Sequence, residues 1–271
     1  MRILPVLLAS AALLTSFSAA AQRRTTGSLG LLPEVQAEVA LSGDDYVLVA
    51  LRAPIQTGTF QGTQLDQVGL RVGYESFWSE RWSWGAELRA DGYDAYRTAD
   101  TKSVYVDVRP QVFLRHWATV GSVNFRQRLG LEYWIPGGEG TQSRALANLR
   151  LDVDKVFAVG EQLALRPRIS VEPQAYLRFQ RNEDEVKERF IDFSSLRGEV
   201  GVRVSPRVDF TPWFAWQSNY YFSLPQTDSN GTITIPGGKS RYAQPVLGLD
   251  LRLTLGGNAQ DADRRQLPTQ H

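Results

Sequence analysis

Apolar and polar residues alternate one by one along most of this chain. The clearest run is 247–255, where five leucines at odd positions alternate with Gly248, Asp250, Arg252 and Thr254. Alternation with a period of two predicts a β-strand with one apolar face and one polar face. The leucine face is too apolar for water and the opposite face is too charged for a dry core. We therefore expect this strand to separate lipid from a polar interior.

The same alternation recurs at short intervals, and helical periodicity is hard to find. Turn-forming residues separate the alternating runs, which is typical of a succession of short strands. Eleven strands are predicted after Pro33, over 35–41, 46–52, 67–75, 82–91, 104–115, 124–133, 145–153, 163–179, 196–204, 208–220 and 246–255. Residues 25–32 are the candidate for a twelfth strand. Pro110 cannot donate to a ladder, so a bulge is expected there.

The predicted connections alternate in length. Short connections fall at 42–44, 77–81, 116–121, 155–161 and 205–207, and longer ones at 53–62, 92–102, 135–142, 180–189 and 223–240. Short turns on one side and longer loops on the other are expected of an outer-membrane barrel. The predicted fold class is all-β, a transmembrane up-and-down antiparallel β-barrel of twelve strands, an even number that puts both chain ends on one side. Ten strands would result if the N-terminal pieces merged and the 46–52 strand were misassigned.

The N-terminal residues are typical of a secretory signal. Arg2 precedes an apolar run at 3–14, and small residues at 19–21 offer a cleavage site before Gln22. The run is shorter than the roughly 20 residues of a spanning helix, which favours cleavage over an uncleaved anchor. We expect a signal peptide at 1–21, a barrel at 22–257 and a polar, disordered tail at 258–271.

Composition narrows the function classes further. The chain has no cysteine, which excludes disulfides and thiolate chemistry. Its formal net charge of +1 gives no reason to expect nucleic acid as a partner. Beyond the N-terminus no apolar stretch is long enough for a transmembrane helix. The modest mean hydropathy also fits a transmembrane barrel, in which about half of the strand residues face a polar interior.

Residues suited to catalysis are few. The two histidines are His116, beside Trp117 at a predicted short turn, and His271 at the end of the sequence. Acyl transfer needs a nucleophile with a base, usually histidine, and outer-membrane enzymes generally hold it near the outer face. His116 is therefore interpreted as an interfacial structural residue. Without cysteine or clustered histidine, metal ligands are reduced to scattered carboxylates. No catalytic residue, cofactor or metal is predicted, and the chain is not expected to be an enzyme.

The most informative residues are the charges on the polar strand faces. Alternation directs these side chains into the predicted lumen: Arg71, Glu75, Glu87, Arg89, Asp107, Arg109, Arg126, Arg128, Glu132, Arg150, Asp152, Arg166, Arg168, Glu172, Arg197, Glu199, Arg203, Asp250 and Arg252, together with Glu38, Arg115, Arg178 and Asp209. One interpretation is a largely closed interior in which arginine forks bind carboxylates of neighbouring strands. The other is a narrow channel whose modest arginine excess forms a basic constriction that favours anions.

Aromatic residues concentrate near the predicted strand ends. Trp78, Trp82 and Trp84 surround one short turn, whereas Tyr133 and Tyr220 lie toward longer loops. Two interfacial girdles are the main interpretation of this distribution. An aromatic platform for carbohydrate is the alternative.

On these features the chain resembles a Gram-negative outer-membrane β-barrel. Its final strand is similar to the C-terminal signal recognised by the barrel-assembly machinery, a glycine followed by spaced hydrophobic residues, here Gly248, Leu251, Leu253 and Leu255. It departs from that signal at Val246, where a polar residue is usual, and in having leucine and a further tail in place of a terminal aromatic residue. The segment FRQRLGLEYW and the arginine-rich hairpins also resemble a small porin-like family with no known substrate.

This resemblance implies location in the outer membrane. The lipid bilayer and, during biogenesis, the barrel-assembly machinery would be the partners. The expected function is a narrow passive channel for small solutes, anionic in the basic-constriction case, or a structural barrel with an ion-paired interior. Two alternatives are a soluble secreted or periplasmic barrel that binds a lipophilic ligand with its faces reversed, and an outer-membrane enzyme. Solute identity and oligomeric state are not predicted.

Overall fold

A computed structural model describes residues 23–59, 62–98, 101–138, 142–159, 163–177, 190–223, 225–235 and 237–256. The predicted signal peptide, the predicted tail and Arg178 lie outside these residues. Every regular element in the described ranges is a β-strand. None of these residues forms a helix long and apolar enough to cross a membrane. The all-β prediction is confirmed.

Seventeen strands occur in this part of the chain. In chain order they are β1 (Arg23–Thr26), β2 (Gly30–Ala40), β3 (Tyr46–Arg52), β4 (Ile55–Thr59), β5 (Gly62–Leu65), β6 (Val68–Phe77), β7 (Trp82–Thr98), β8 (Thr101–Val120), β9 (Val123–Trp134), β10 (Arg144–Asp154), β11 (Phe157–Val159), β12 (Leu163–Leu177), β13 (Phe193–Ser205), β14 (Val208–Ser223), β15 (Gln226–Thr227), β16 (Ile233–Ile235) and β17 (Gly238–Leu255).

Eleven of these strands close into a ring, which confirms the predicted β-barrel. Their order is β2-β3-β6-β7-β8-β9-β10-β12-β13-β14-β17. Neighbours in the ring are antiparallel, with one exception. At the closing pair, β17 and β2 run parallel, from Val246 opposite Gly30 to Leu255 opposite Val39. We call this pair the parallel seam.

The predicted twelfth strand at 25–32 is not a separate antiparallel strand. β1 also pairs in parallel with β17, with Arg23 opposite Ser240 and Thr26 opposite Ala243. β1 and β2 thus follow the same neighbour, with a small break at 27–29. The ring therefore has eleven strands where twelve were predicted. An odd number places the start of β2 and the end of β17 at opposite ends of the barrel.

The two ends of the barrel differ in their connections. At one end, which we call the short-turn end, β2 leads to β3, β6 to β7, β8 to β9, β10 to β12 and β13 to β14, through short connections such as 41–45, 78–81, 121–122 and 206–207. At the other end, the long-loop end, β3 leads to β6, β7 to β8, β9 to β10, β12 to β13 and β14 to β17, and all of these connections except that between β7 and β8 are longer. β2 begins at the long-loop end, and β17 finishes at the short-turn end.

The predicted polar loop at 92–102 is wrong. β7 and β8 stay paired from Trp82 opposite His116 to Thr98 opposite Thr101, so both strands continue through this stretch. The alternation of apolar and polar residues weakens over 92–102, although β7 and β8 stay paired there. The part of a hairpin that extends beyond the apolar exterior of a barrel needs no apolar face, so alternation gives no signal for it. The predicted bulge at Pro110 is also wrong, since Pro110 stays in register opposite Leu88.

The exterior of the ring is apolar on every strand. Exposed hydrophobic side chains, one taken from each ring strand, are Val35, Leu51, Leu70, Leu88, Val112, Leu129, Leu151, Ile169, Leu196, Phe214 and Leu249. They alternate with inward-facing side chains, most of them charged or polar. This is the reverse of a protein folded around an apolar core, because the large apolar side chains are outside and the charges are inside.

Outward-facing aromatic residues gather toward both ends of the barrel. At the short-turn end Trp78 stacks on Trp82 with ring centres 6.3 Å apart, and Trp82 lies 4.5 Å from the ring of His116. Toward the long-loop end, Tyr133 and Tyr221 are exposed. These positions agree with the two predicted girdles, whose contact with a membrane interface stays a prediction.

Candidate functional site

The predicted inward-facing charges in the described residues lie inside the barrel. Those that are buried are Glu38, Arg71, Glu75, Asp107, Arg115, Arg126, Arg128, Arg150, Asp152, Arg166, Arg168, Arg197, Glu199, Asp209, Asp250 and Arg252. Those that are partly exposed toward interior cavities are Glu87, Arg89, Arg109, Glu132, Glu172 and Arg203. Period-two alternation thus gave their orientation correctly. That they line a path for a solute stays a prediction.

Four inward-facing charges were missing from the predicted lumen: Arg52, Glu34, Asp91 and Asp154. Glu34 follows Pro33, which was taken as a break, and the other three lie at the last position of a predicted strand or just beyond it. Arg52 donates to Asp91 at 2.6 Å, and Asp154 is only 3 % exposed. With these four included, carboxylates match arginines in number among the described inward-facing residues named here. The arginine excess that favoured a basic constriction therefore disappears.

Some interior ion pairs reach past an intervening strand. Arg197 of β13 donates to Asp250 of β17 at 2.9 Å, with β14 between them. Arg115 of β8 donates to Glu75 of β6 at 2.7 Å, with β7 between them. These arginine side chains thus reach through the barrel interior to a carboxylate two strands away. Such pairs need excellent geometry, because removing two charges from water costs several kcal/mol per ion.

Further ion pairs cross the interior from the middle of the barrel toward its short-turn end, and we call them the ion-paired layer. They join Arg71 to Glu34, Arg126 to Asp154, Arg150 to Asp152, Arg168 to Glu199 and Arg252 to Glu38. Every side chain in these pairs is nine-tenths buried or more. A bidentate guanidinium geometry suits this role because one arginine can bind several acceptors at once.

The parallel seam is also tied together from the inside. Arg252 of β17 donates from Nε to the amide oxygen of Gln36 in β2 at 2.9 Å, and it pairs with Glu38 at 3.3 Å. Gln36 in turn donates to Glu34 at 2.7 Å. Hydrogen bonds in a low-dielectric interior are stronger than those in water. Side-chain bonds therefore add to the backbone ladder where the ring closes.

Glu75 holds together the interior near the short-turn end. This carboxylate is 0 % exposed. It accepts hydrogen bonds from the Tyr46 hydroxyl at 2.5 Å, from Ser83 at 2.6 Å and from Arg115 at 2.7 Å. The indole N–H of Trp117 donates to the Ser83 hydroxyl at 3.3 Å. Donors on three different strands, β3, β7 and β8, thus converge on one buried anionic group, directly or through Ser83.

Aromatic rings fill space above glycines in the wall. A β-carbon on Gly248 would lie 2.0 Å from the indole of Trp213, so only glycine fits beneath this ring. The guanidinium of Arg197 lies on the ring, 4.0 Å from its centre. The indole N–H donates to Asp250 at 2.9 Å. Glycine, tryptophan and arginine therefore form a three-part stack that projects into the lumen.

A second stack of the same kind occurs on β7, β8 and β9. A β-carbon on Gly85 would lie 2.3 Å from the ring of Phe113. The guanidinium of Arg128 lies 4.2 Å from the centre of that ring. Arg128 also donates to Gln111 at 2.6 Å. The two aromatic rings occupy volume beside the ion pairs. In each stack the ring packs on a glycine of the neighbouring strand.

The ion-paired layer separates two interior cavities. The long-loop cavity has a volume of about 490 Å³, and its lining includes Arg89, Arg109 and Trp134. The short-turn cavity has a volume of about 710 Å³, and its lining includes Arg81 and Arg203. The two cavities share no lining residue. The described interior thus holds two separate cavities, one toward each end of the barrel.

His116 lies on the outside of the barrel wall. Its Nδ1 lies 2.6 Å from the amide oxygen of Gln127 on the next strand, and its ring contacts Trp82. These contacts are structural, and the position of His116 at a membrane interface stays a prediction. Among the described residues, no group of three or more histidine, cysteine, aspartate or glutamate side chains is placed to hold a metal ion. That the chain is not an enzyme stays a prediction.

Comparisons of this chain with protein-family models, with curated proteins and with solved structures gave no match. The resemblance to porin-like outer-membrane proteins therefore rests on the sequence features alone.

Proposed function

We propose that this chain is an outer-membrane β-barrel protein whose lumen is closed by an ion-paired layer. In this proposal it is a structural barrel with a vestibule at each end, and not a wide pore. The observation that carries the proposal is the inverted distribution of side chains, with exposed hydrophobic residues on all eleven ring strands and buried charges inside.

The apolar exterior supports a lipid environment. Removing one large apolar side chain from water contributes roughly 1.5–3 kcal/mol, and each ring strand presents at least one such side chain outward. Contiguous apolar surface on this scale is rare on monomers that stay in water. In the proposed orientation, the short-turn end faces the periplasm and the long-loop end faces the exterior.

Closure of the lumen is supported by the burial of its interior charges. Glu75 is 0 % exposed, Asp250 is 1 % exposed and Arg115 is 3 % exposed. A water-filled passage would leave such groups in contact with solvent. A narrow channel remains the second candidate, because a vestibule enters the barrel from each end. In that case the ion-paired layer has to rearrange before a solute passes.

A soluble barrel that binds a lipophilic ligand would need an apolar interior. Both interior cavities of the described chain are lined by several arginines, which argues against such a ligand. The exterior would also expose hydrophobic side chains to water on every ring strand.

The experiment that tests the proposal is membrane fractionation of cells that express the full chain. We expect the protein in the outer-membrane fraction, and release only by detergent. Samples kept unboiled should migrate differently on a gel from boiled samples, as expected of a stable barrel. Extraction into buffer alone, or identical mobility of the two samples, would count against a transmembrane barrel.

A further inference from the structure

The short-turn cavity is basic on its surface. Its charged lining residues are Arg81, Arg126, Arg166, Arg203 and Glu80. The charged lining of this cavity thus has four guanidinium groups and one carboxylate. The long-loop cavity is different, because glutamates such as Glu87 and Glu132 line it alongside its arginines.

The carboxylates that pair with these arginines do not line the cavity. Asp154 is bound by Arg126 and has the Nε of Arg166 at 3.7 Å. Asp209 pairs with Arg203 at 3.2 Å. Both carboxylates are buried. The positive groups therefore border the cavity while the negative groups lie behind them.

Arg126 retains hydrogen-bonding capacity. The residue is 3 % exposed, and its Nε has no hydrogen-bond acceptor. Its carboxylate partner Asp154 also accepts from Asn124 at 2.9 Å and lies near a second guanidinium, that of Arg166. A buried charge with a shared partner is costly unless a further group of opposite charge approaches it.

The position of Arg126 is fixed before any ligand arrives. Its guanidinium carbon lies 5.3 Å from the centre of the Trp117 ring, and Trp117 is held by its hydrogen bond to Ser83. A guanidinium held against an aromatic ring loses little further freedom when it binds an anion.

We propose that the short-turn cavity binds a phosphate-type oxyanion, with Arg126 and Arg166 as its principal ligands. Planar guanidinium forks match the oxygen atoms of phosphate in a bidentate geometry. The rim residue Arg81 would attract the anion to the cavity mouth.

This inference goes beyond the proposed function and does not depend on it. The side chains that carry it lie inside the barrel, so the site would exist whether the exterior meets lipid or not. Failure of anion binding would leave membrane fractionation and gel mobility unchanged.

The test uses the full chain refolded in detergent, with sodium phosphate as the probe. Isothermal titration calorimetry at constant ionic strength should show saturable binding that sulfate competes for and chloride does not. No saturable heat, or equal competition by chloride, would overturn the proposal.

Variants assign the site. Replacing Arg126→Gln together with Asp154→Asn removes the guanidinium without leaving a bare buried carboxylate. Phosphate affinity should fall by about tenfold or more, as expected for loss of a charge-assisted hydrogen bond. Arg109→Gln in the long-loop cavity is the matched control and should leave phosphate affinity unchanged. An equal loss in Arg109→Gln would overturn the assignment.

Two further measurements keep the test decisive. If the double variant does not fold, Arg126→Lys is measured in its place. This variant retains the positive charge but lacks the planar guanidinium fork, so its affinity for phosphate should fall. Unchanged affinity in Arg126→Lys would overturn the role of the fork. Monomeric dihexanoylphosphatidylglycerol then distinguishes the sources of phosphate. Competition between this lipid and inorganic phosphate supports a headgroup as the occupant, and binding of inorganic phosphate alone supports the free ion.

Discussion

Trp213 packs directly against the backbone of Gly248, its partner on the neighbouring strand. A β-carbon at position 248 would lie 2.0 Å from the indole, far inside van der Waals contact. Arg197 covers the ring, and Asp250 accepts its N–H. This contact places an aromatic ring among ion pairs, so the centre of the barrel is closed by packing as well as by charge.

The close contact predicts that Gly248→Ala destabilises the barrel. The added methyl group has to displace Trp213, and overpacking of this kind costs about 1–3 kcal/mol. Urea unfolding in detergent, followed by tryptophan fluorescence, measures the change. Gly198→Ala is the control, because a β-carbon there meets no atom within 4 Å. Equal unfolding midpoints for the two variants would show that the contact with Trp213 carries no energy.

The network around Glu75 predicts a larger effect for Glu75→Gln. Removing the charge leaves Arg115 buried without its carboxylate, and breaking a buried ion pair typically costs about 3–5 kcal/mol. The free energy of unfolding in detergent measures this loss. Glu80→Gln, in the exposed 78–81 connection, is the control and should leave the unfolding midpoint unchanged. A midpoint for Glu75→Gln as high as that of the control would contradict the proposed packing of the interior.

The apolar exterior predicts an asymmetry between the two faces of β17. Leu249→Arg places a charge on the exposed face, where an arginine at the bilayer midplane costs roughly 2–4 kcal/mol. We expect it to reduce the folded fraction in phospholipid vesicles. Leu249→Ala is the matched control and should insert nearly as well as the wild type. Equal insertion of Leu249→Arg and Leu249→Ala would place this face outside the lipid.

The parallel seam predicts a specific cross-link. Val35 lies opposite Leu251 in the register of β2 and β17, and the native chain has no cysteine. Val35→Cys with Leu251→Cys should therefore form a disulfide under mild oxidation, seen as a mobility shift on a non-reducing gel. Val35→Cys with Leu255→Cys is the control, because the second cysteine is displaced by roughly 13 Å along the strand. Cross-linking of the control pair alone would rule out the parallel register.

Much of the fold could be predicted from single strands. The alternation of Leu249 with Asp250, and of Leu151 with Asp152, gave both faces of the wall correctly. What alternation does not encode is the direction of a strand's partner. The pattern from Val35 to Val39 reads the same beside a parallel or an antiparallel neighbour. The seam, and with it the odd strand number, therefore could not be read from the sequence.

The interior contacts were harder to predict than the interior residues. Arg115 and Glu75 are 40 positions apart in the chain and skip one strand, so local pattern gives no sign of their pairing. Trp213 and Gly248 are likewise brought together only by register. Glu34 was missed because Pro33 masked the start of a strand, and its inclusion helped to remove the arginine excess. Charge balance in this barrel thus depends on residues at the ends of the predicted strands, where alternation gave the least information.

Planar-bilayer conductance tests the central claim most directly. A protein whose lumen is closed by the ion-paired layer should insert without discrete current steps. Trp213→Ala with Phe113→Ala, which removes both aromatic rings from the layer, serves as the control for insertion and should give measurable steps. Discrete anion-selective or cation-selective steps from the wild-type chain would contradict the account and identify the barrel as a channel.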